Sequence, residues 1–380
     1  MADFPIDVTL DKSDICNLET EQAQLVASAI EGRRLVIYGR RNTGKTSLLL
    51  NVVIPALQKA RKKSICIFVD FLGVETEEEV TSRLRRAIER ALTRAFPTRQ
   101  FIKSLLEVAG SLRPSIETDA LTGNISVSIA PHLISSKTEL TELIEKLGAL
   151  HAENKVFIAF DEFQDISCVK GLAAVMRGAL QNLPKDLPVF ICGSKKHRLA
   201  AMFGPHRAPF SGWGSDLEIP TINSEHYRNR YFAYAAERLK SHGISIDPEA
   251  FDLLLSQCDG VPESVNIVLG HIARKSSPVV VDTELMGQAI ASVIDERRGR
   301  FEEQLIRFRG SSRQILVNIA KYGPIKQPKG KDFLALTRKL SPSSVFNVVR
   351  QLEQNADIYI KPEGYVVADP LFATYLARYH

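Results

Sequence analysis

The chain has 380 residues, a length that corresponds to two or three domains, and its 44% apolar and 24% charged residues are ordinary for a globular protein. Its five cysteines stand far apart without a C-x-x-C pair, which argues against a zinc site and against a disulfide framework. The net charge of +5 permits a polyanionic partner without requiring one. No leader pattern opens the chain and no run approaches membrane-spanning length, so we expect a cytoplasmic protein with no membrane partner.

The first predicted element is a helix over residues 19–30, where apolar side chains recur at helical spacing. A short apolar strand, Leu35 to Tyr38, follows it. In many nucleotide-binding modules the segment before the first strand covers the base, and we expect that arrangement here.

A glycine-rich loop follows this strand: residues 39–46 read GRRNTGKT, and a helical pattern continues to Val53. This is G-x-x-x-x-G-K-[ST] between a strand and a helix, so the backbone N–H groups can surround a phosphate group. Lys45 can reach the β- and γ-phosphates, and the Thr46 hydroxyl can ligate Mg²⁺. The alternative is a glycine turn with a chance Lys-Thr pair. The predicted nucleotide-binding residues are Gly39, Asn42, Thr43, Gly44, Lys45, Thr46 and Ser47.

Residues 64–70 form a second apolar strand, and the strand, helix, strand order predicts a parallel, right-handed crossover. Amphipathic helices are expected over residues 76–96, 101–112 and 138–151. Between the last two, alternating segments flank Thr122-Gly123-Asn124, which predicts a hairpin inserted at about residues 113–131.

Two further strands carry polar residues at their ends. The apolar run from Val156 ends in Asp161 and Glu162. Asp161 would hold Mg²⁺ through water, and Glu162 would orient and deprotonate the water that attacks the phosphate. The run over residues 187–192 precedes Ser194, which we expect to sense the γ-phosphate from the neighbouring strand. The alternatives are a buried strand capped by two solvated acids and a simple turn serine. The predicted catalytic residues are Lys45, Glu162 and Ser194, and the predicted metal ligands are Thr46 and Asp161.

From residue 224 the pattern is helical, with helices over residues 227–240 and 264–273 and another starting at Asp247-Pro248-Glu249. We interpret this part as a small helical lid. Arg297, Arg298 and Arg300 then mark a basic helix or linker.

The last part of the chain predicts three helices and a hairpin. The helices cover residues 313–321, 333–340 and a stretch starting at Ser341, and the hairpin pairs residues 358–360 with 365–367. This order is that of a winged helix-turn-helix. Its third helix would expose Ser343, Ser344, Asn347 and Arg350, so residues 341–354 and the wing could bind double-stranded DNA. The alternative is a winged helix that contacts protein.

With these motifs the chain resembles the archaeal-type ATPase family, a branch of P-loop ATPases close to AAA+ and STAND proteins. The resemblance rests on the phosphate loop, Phe160-Asp161-Glu162-Phe163-Gln164, Cys192-Gly193-Ser194, Gly260-Val261-Pro262 and Ala368 to Phe372. It implies ATP and Mg²⁺ as cofactors, contact of Pro262 with the nucleotide, and a place near adenine for residues 17–21.

The expected fold is α/β: a P-loop NTPase parallel sheet with a helical lid and a C-terminal winged helix-turn-helix. The expected domains are a P-loop ATPase domain over 1–222, the lid over 223–299 and the winged helix over 300–380.

Two segments depart from the family pattern. Residues 17–21 lack the usual Gly-Arg, and Ser211-Gly212-Trp213 stands where relatives often carry Tyr-Gly-Arg, so no arginine finger carries over there. Arg207 is a nearby substitute. Without a finger, hydrolysis is expected to be slow or to need a partner, since such a residue is worth about 10³ or more in rate.

Two functions remain open from the sequence. One is an ATPase switch whose ATP state positions the winged helix on DNA or against another subunit. The other is a nucleotide-holding signalling or assembly scaffold with little turnover, whose winged helix binds protein. A homo-oligomer or a protein partner fits both. A GTPase is disfavoured because the chain has no Asn-Lys-x-Asp motif.

Overall fold

The computed structural model of the protein describes residues 4–61, 64–95, 114–118, 125–129, 135–194, 196–204, 206, 208–275, 279–337 and 340–380. The chain forms two compact units. The sheet unit comprises Leu18–Gly39 and Lys45–Ile219, and the helical unit comprises Met1–Asn17, Arg40–Gly44 and Pro220–His380. The phosphate loop thus contributes residues to both units: Gly39, Lys45 and Thr46 belong to the sheet unit, and Arg40–Gly44 belongs to the helical unit.

The sheet unit alternates strands and helices. Its elements are α1 (Glu19–Ile30), β1 (Arg34–Tyr38), α2 (Lys45–Leu48), a π-helical turn (Leu49–Val53), α3 (Ile54–Ala60), β2 (Ile65–Asp70), α4 (Glu77–Ala95), β3 (Pro114–Thr118), β4 (Ile125–Ile129), α5 (Ser136–Asn154), β5 (Val156–Asp161), a 3₁₀ helix (Phe163–Cys168), α6 (Leu172–Gln181), β6 (Val189–Gly193), α7 (Lys196–Phe203) and β7 (Ser215–Glu218).

Five of these strands form one parallel sheet in the order β2-β5-β6-β1-β7. Every residue of β5 and β6 is buried, as expected for inner strands covered on both faces. Helix α4 packs a stripe of Val80, Leu84, Ile88 and Leu92 into the same core. Because the strands are parallel, the residues that follow β1, β5 and β6 lie at one edge of the sheet.

The helical unit begins with a group of helices around a short parallel strand pair. Its first elements are α8 (Glu225–Lys240), β8 (Ile244–Ile246), α9 (Pro248–Gln257), α10 (Pro262–Lys275), β9 (Val279–Val281), α11 (Thr283–Glu296) and α12 (Arg298–Ile306). None of the helices within the described ranges is long and apolar enough to cross a membrane.

A winged helix completes the helical unit. It comprises α13 (Ser311–Tyr322), α14 (Lys331–Leu336), α15 (Pro342–Gln354), the antiparallel pair β10 (Ile358–Lys361) and β11 (Gly364–Val367), which we call the wing, and α16 (Pro370–Tyr379). Val345, Val349 and Leu352 of α15 are buried in its core. The ring of Phe301 in α12 packs against the rings of Phe372 and Tyr375 in α16, so apolar contacts join α12 to the winged helix.

The structure confirms the phosphate-loop strand, the carboxylate strand and the winged-helix order, and it also pairs β3 with β4 as the predicted hairpin. Two details of the prediction were wrong: the helix after the loop is interrupted by a π-helical turn, and the helix predicted over 333–340 spans Lys331–Leu336. Of the two readings of the basic stretch from Arg297 to Arg300, the structure confirms the helix, since Arg298 and Arg300 lie in α12. Strands β7, β8 and β9 were not predicted.

Other expectations are untested. The helix expected over 101–112, the turn at Thr122-Gly123-Asn124 and the substitute finger Arg207 lie outside the described residues. The three-part division at 222 and 299 stays a prediction.

Candidate functional site

In the sheet unit, Lys45 is the first residue of α2 and its side chain is buried. Its ammonium group donates a hydrogen bond to the carbonyl of Gly39, with an N–O distance of 3.1 Å. The Lys45 charge is therefore held against the first residue of the loop, where the sequence predicts the phosphates. Ser47, two residues after Lys45 in the same helix, is also buried.

Thr46 and Asp161 meet although 115 residues separate them: Thr46 Oγ1 donates to Asp161 Oδ2 at 2.5 Å. The pKa of Asp161 is raised, mainly by burial and further by the charge of Glu162. The hydrogen bond from Thr46 opposes this rise. A cation beside this buried carboxylate would stabilise its charged form. A hydroxyl and a carboxylate are oxygen ligands that Mg²⁺ prefers, so these two residues fit the ion, which would supply charge neutralisation of the phosphates when bound.

Glu162 follows β5 and has a left-handed backbone, with φ of 47°. Its carboxylate oxygen Oε2 accepts hydrogen bonds from Ser194 Oγ at 2.8 Å and from Gln164 Nε2 at 2.5 Å. Ser194 reaches Glu162 because β6 lies directly beside β5 in the sheet. The two donors hold the carboxylate in one orientation, as a general base requires.

Gln164 is fully buried and packs against the backbone of Gly193. A Cβ atom on Gly193 would lie 2.1 Å from Gln164 Oε1 and 2.6 Å from a methyl carbon of Leu199. Only glycine leaves room for the Gln164 amide at this point, so Gly193 indirectly sets the position of Glu162.

In the helical unit, the loop residue Arg40 makes a group of contacts that we call the Arg40 clamp. The Arg40 guanidinium donates to the Asp259 carboxylate at 2.7 Å, to the Asp259 carbonyl at 3.3 Å and to the Ala368 carbonyl at 2.9 Å. It also lies over the ring of Tyr359, 4.1 Å from the ring centroid. The Asp259 carboxylate accepts further hydrogen bonds from the Tyr359 hydroxyl and from Lys361.

These partners come from separate elements: Asp259 follows α9, Tyr359 and Lys361 belong to β10, and Ala368 follows β11. The clamp therefore ties the phosphate loop to the wing through charge-assisted hydrogen bonds.

The loop makes a second contact in the helical unit, between Asn42 and Glu263. The Asn42 amide donates to the Glu263 carboxylate, and Glu263 follows Pro262 in the first turn of α10. Burial raises the pKa of Glu263, and the charge of Asp7 raises it further. Within the loop, Thr43 Oγ1 donates to the Arg40 carbonyl at 2.9 Å.

The outer face of α15 carries the side chains that the sequence assigned to DNA contact. Ser343, Ser344, Asn347 and Arg350 are all exposed. Phe346 is 42% exposed on the same helix and lies 4.0 Å from the ammonium group of Lys329. This face is polar with a single Arg and one apolar side chain.

The structure brings together most of the predicted site. Lys45, Thr46, Asp161, Glu162 and Ser194 lie at one edge of the sheet, and Gly39 accepts from Lys45. Within the helical unit, Asn42 of the segment Arg40–Gly44 contacts the residue that follows Pro262.

The contacts of four residues in the candidate site were not predicted from the sequence, those of Arg40, Asp259, Gln164 and Glu263. Gln164 stands in the quoted Asp-Glu-Phe-Gln run and Glu263 directly follows Gly-Val-Pro, so motif position was the one available signal.

Comparisons with known proteins agree with this architecture. Residues 299–378 match the family described as a probable winged helix domain. The chain is similar to the Walker-type ATPase PABY2304 of Pyrococcus abyssi, with 20% identity, a TM-score of 0.62 and coverage of 98% of this chain and 99% of the other. It is also similar to the ORC2 protein of Aeropyrum pernix, with 13% identity, a TM-score of 0.52 and coverage of 94% and 93%. No curated protein matches the chain at a significant level of sequence similarity.

The five-stranded parallel sheet with a phosphate loop after β1 and acids after β5 defines the P-loop ATPase fold. More narrowly, the chain has the fold of an archaeal-type P-loop ATPase with a C-terminal winged helix.

Proposed function

We propose that the protein binds and hydrolyses Mg-ATP, and that its nucleotide state positions the winged helix on DNA. The Arg40 clamp is the observation that carries this proposal, because it joins a phosphate-loop residue to the wing by hydrogen bonds. A loop that changes conformation when phosphate binds would strengthen or break contacts to the winged helix.

In this proposal the loop from Gly39 to Thr46 binds the phosphates through its backbone N–H groups and the Lys45 ammonium group. Thr46 and Asp161 are the residues for Mg²⁺, and Pro262 lies against the nucleotide. Glu162 accepts the proton of the attacking water, while Ser194 and Gln164 keep its carboxylate oriented. The ORC2 structure of Aeropyrum pernix contains ADPNP and ADP, which supports a nucleotide ligand for this fold.

The switch requires that ATP and ADP favour different arrangements of the loop. A ligand shifts an equilibrium only by its differential affinity for the two states. Arg40 lies in the loop beside the residues assigned to the phosphates. Its four contacts to Asp259, Ala368 and Tyr359 would therefore differ between the ATP-bound and the ADP-bound loop. We propose that the γ-phosphate alters these contacts and so changes how firmly the wing is held.

The proposal is tested by ATP turnover of the purified protein with and without duplex DNA, alongside the Glu162→Gln and Lys45→Ala variants. We expect turnover that rises with DNA, ATP retention without turnover in Glu162→Gln, and loss of ATP binding in Lys45→Ala. Lys170→Ala, an exposed lysine of the sheet unit, is the matched control and should behave as wild type.

Two outcomes would contradict the proposal. Normal ATP binding by Lys45→Ala would overturn the site assignment. Retained ATP without turnover, with or without DNA, would favour a nucleotide-holding scaffold.

A further inference from the structure

A second group of polar side chains lies where β1 begins, at the end of the strand opposite the phosphate loop. A cleft of about 480 Å³ is lined there by residues that include Glu31, Arg33, Arg34, Arg177, Lys185 and Trp213. Arg34 begins the five-residue strand β1, and the phosphate loop follows its other end. A parallel strand of that length spans about 13 Å, so the cleft is separate from the site already described.

The cleft carries an excess of positive charge. Its lining contains four cations, Arg33, Arg34, Arg177 and Lys185, and a single carboxylate, that of Glu31, which leaves a net charge of +3. Glu31 is already paired with Arg33 at 2.6 Å. Among the described residues, neither Arg34 nor Arg177 forms an ion pair, although each makes a hydrogen bond to a neutral acceptor, Leu183 and Gln181 respectively.

Two guanidinium groups of the cleft lie against the ring of Trp213. Arg34 Cζ lies 4.5 Å from the centroid of the indole ring and Arg177 Cζ lies 5.2 Å from it. Burial and the like charge of Arg177 both lower the pKa of Arg34. Two unneutralised cations on one aromatic ring are mutually repulsive, and an anion between them would remove that cost.

The indole itself offers an unused donor. Trp213 is 4% exposed, and its buried Nε1 has no hydrogen-bond partner among the described residues. A buried N–H without a partner is costly and is seldom left unsatisfied in folded proteins. The backbone supports this placement: at Gly214, φ is 60° and a Cβ atom would lie 2.5 Å from the Arg34 carbonyl, so Trp213 is drawn against Arg34 through a contact that only glycine allows.

We propose that this cleft is a second anion site, which binds a phosphate group through Arg34 and Arg177. Planar guanidinium groups recognise phosphate with paired hydrogen bonds. A dianionic phosphate matches the net charge and the several donors of the cleft better than a single carboxylate does. The phosphate can belong to a free phosphoanion or to a nucleic-acid backbone, and both offer the same chemistry.

Trp213 is the only tryptophan of the chain, so its fluorescence reports on this cleft alone. The test is a fluorescence titration with inorganic pyrophosphate, and separately with a short DNA duplex, at constant ionic strength. It is made in the Lys45→Ala background to weaken binding at the phosphate loop. We compare the cleft variant Arg177→Gln/Lys185→Gln with Arg86→Gln/Lys170→Gln, which removes two exposed charges of the same unit outside the cleft.

We expect a saturable fluorescence change, from which an affinity is obtained. The cleft variant should weaken this affinity at least about tenfold, as the loss of a charge-assisted hydrogen bond predicts, and the control variant should leave it unchanged. A response to pyrophosphate assigns the site to free phosphoanions, and a response to duplex alone assigns it to the nucleic-acid backbone. The proposal is overturned if neither probe gives a saturable change or if both double variants bind alike. Should Arg177→Gln unfold the chain, Lys185→Gln is compared with Lys170→Gln, which tests whether the positive charge of the cleft contributes to binding.

Discussion

The guanidinium of Arg40 and the carboxylate of Asp259, 219 residues apart in the chain, are joined by a hydrogen bond of 2.7 Å. Both side chains are less than one fifth exposed. The same carboxylate binds Tyr359 and Lys361 of the wing. One acidic side chain thus forms ion pairs with a cation of the phosphate loop and a cation of the winged helix at the same time.

Asp259→Asn should destabilise the helical unit by about 2 kcal/mol, because it leaves the charges of Arg40 and Lys361 without a counter-ion in a partly buried setting. The measurement is urea unfolding of the full chain, with Glu303→Gln, an exposed acid of α12, as the control. Equal midpoints for Asp259→Asn and wild type would contradict the prediction.

The same carboxylate predicts a pH dependence. Burial raises the pKa of Asp259, but the hydrogen bonds from Lys361 and Tyr359 and the charge of Arg40 outweigh it, so the pKa is lowered. A group with a lowered folded pKa stabilises the protein above its unfolded pKa and loses that effect as the pH falls through the folded value. The stability difference between wild type and Asp259→Asn should therefore be constant above the ordinary value of 3.8 and shrink in stronger acid.

Glu263→Gln should raise the affinity for ATP about fivefold, since a carboxylate beside the phosphate loop repels the phosphates by roughly 1 kcal/mol in partly solvated surroundings. Glutamine keeps an acceptor for the Asn42 amide, so the loop contact is preserved. The measurement is ATP titration by calorimetry.

The pH dependence separates charge from packing at Glu263. Burial and the charge of Asp7 raise its pKa above the ordinary 4.5, so the carboxylate is neutralised as the pH falls through that raised value. The ratio of the ATP affinities of Glu263→Gln and wild type should approach one at low pH, and titration of ATP itself cancels in that ratio. A ratio that is constant with pH would rule out the electrostatic cause.

Ser194→Ala should lower kcat for ATP about tenfold with KM changed less than twofold, because Glu162 loses one of the two donors that orient its carboxylate. Ser194→Thr keeps the hydroxyl and should restore most of the rate. The comparison is steady-state turnover of the three proteins. A structural role would show as equal losses in both variants, or as a rise in KM.

Arg350→Ala should weaken binding to duplex DNA and lower the slope of log affinity against log salt by about 0.9, the value for one lost phosphate contact. Lys240→Ala, an exposed lysine at the end of α8, is the control for net charge. Binding is measured by fluorescence anisotropy over a salt series. Identical slopes for both variants would mean that the exposed face of α15 does not contact DNA.

Local pattern was enough to predict much of the fold and the site. Continuous apolar runs located β1 and β5, and apolar periodicity located the helices of the winged helix, because burial on one face of a helix requires that spacing. Lys45, Thr46, Asp161 and Glu162 were predicted because phosphate and metal chemistry restricts which residue types can follow such strands. The proximity of Ser194 to Glu162 followed from the adjacency of parallel strands.

The clamp and the cleft could not be predicted in this way. Arg40, Asp259 and Trp213 are ordinary residue types whose identity does not reveal a partner, and short edge strands such as β7 carry too few residues for a periodic signal. Helix α2 likewise continues as a π-helical turn that its composition does not indicate.

The sequence by itself determined the class of fold and predicted which residues would hold a phosphate and a metal ion, because hydrophobic spacing and local backbone chemistry act over a few neighbouring residues. Only the tertiary structure decided that Arg40 is bonded to the wing and that two guanidinium groups share Trp213. Such contacts depend on distances between residues far apart in the chain, and those distances arise only when the elements have packed.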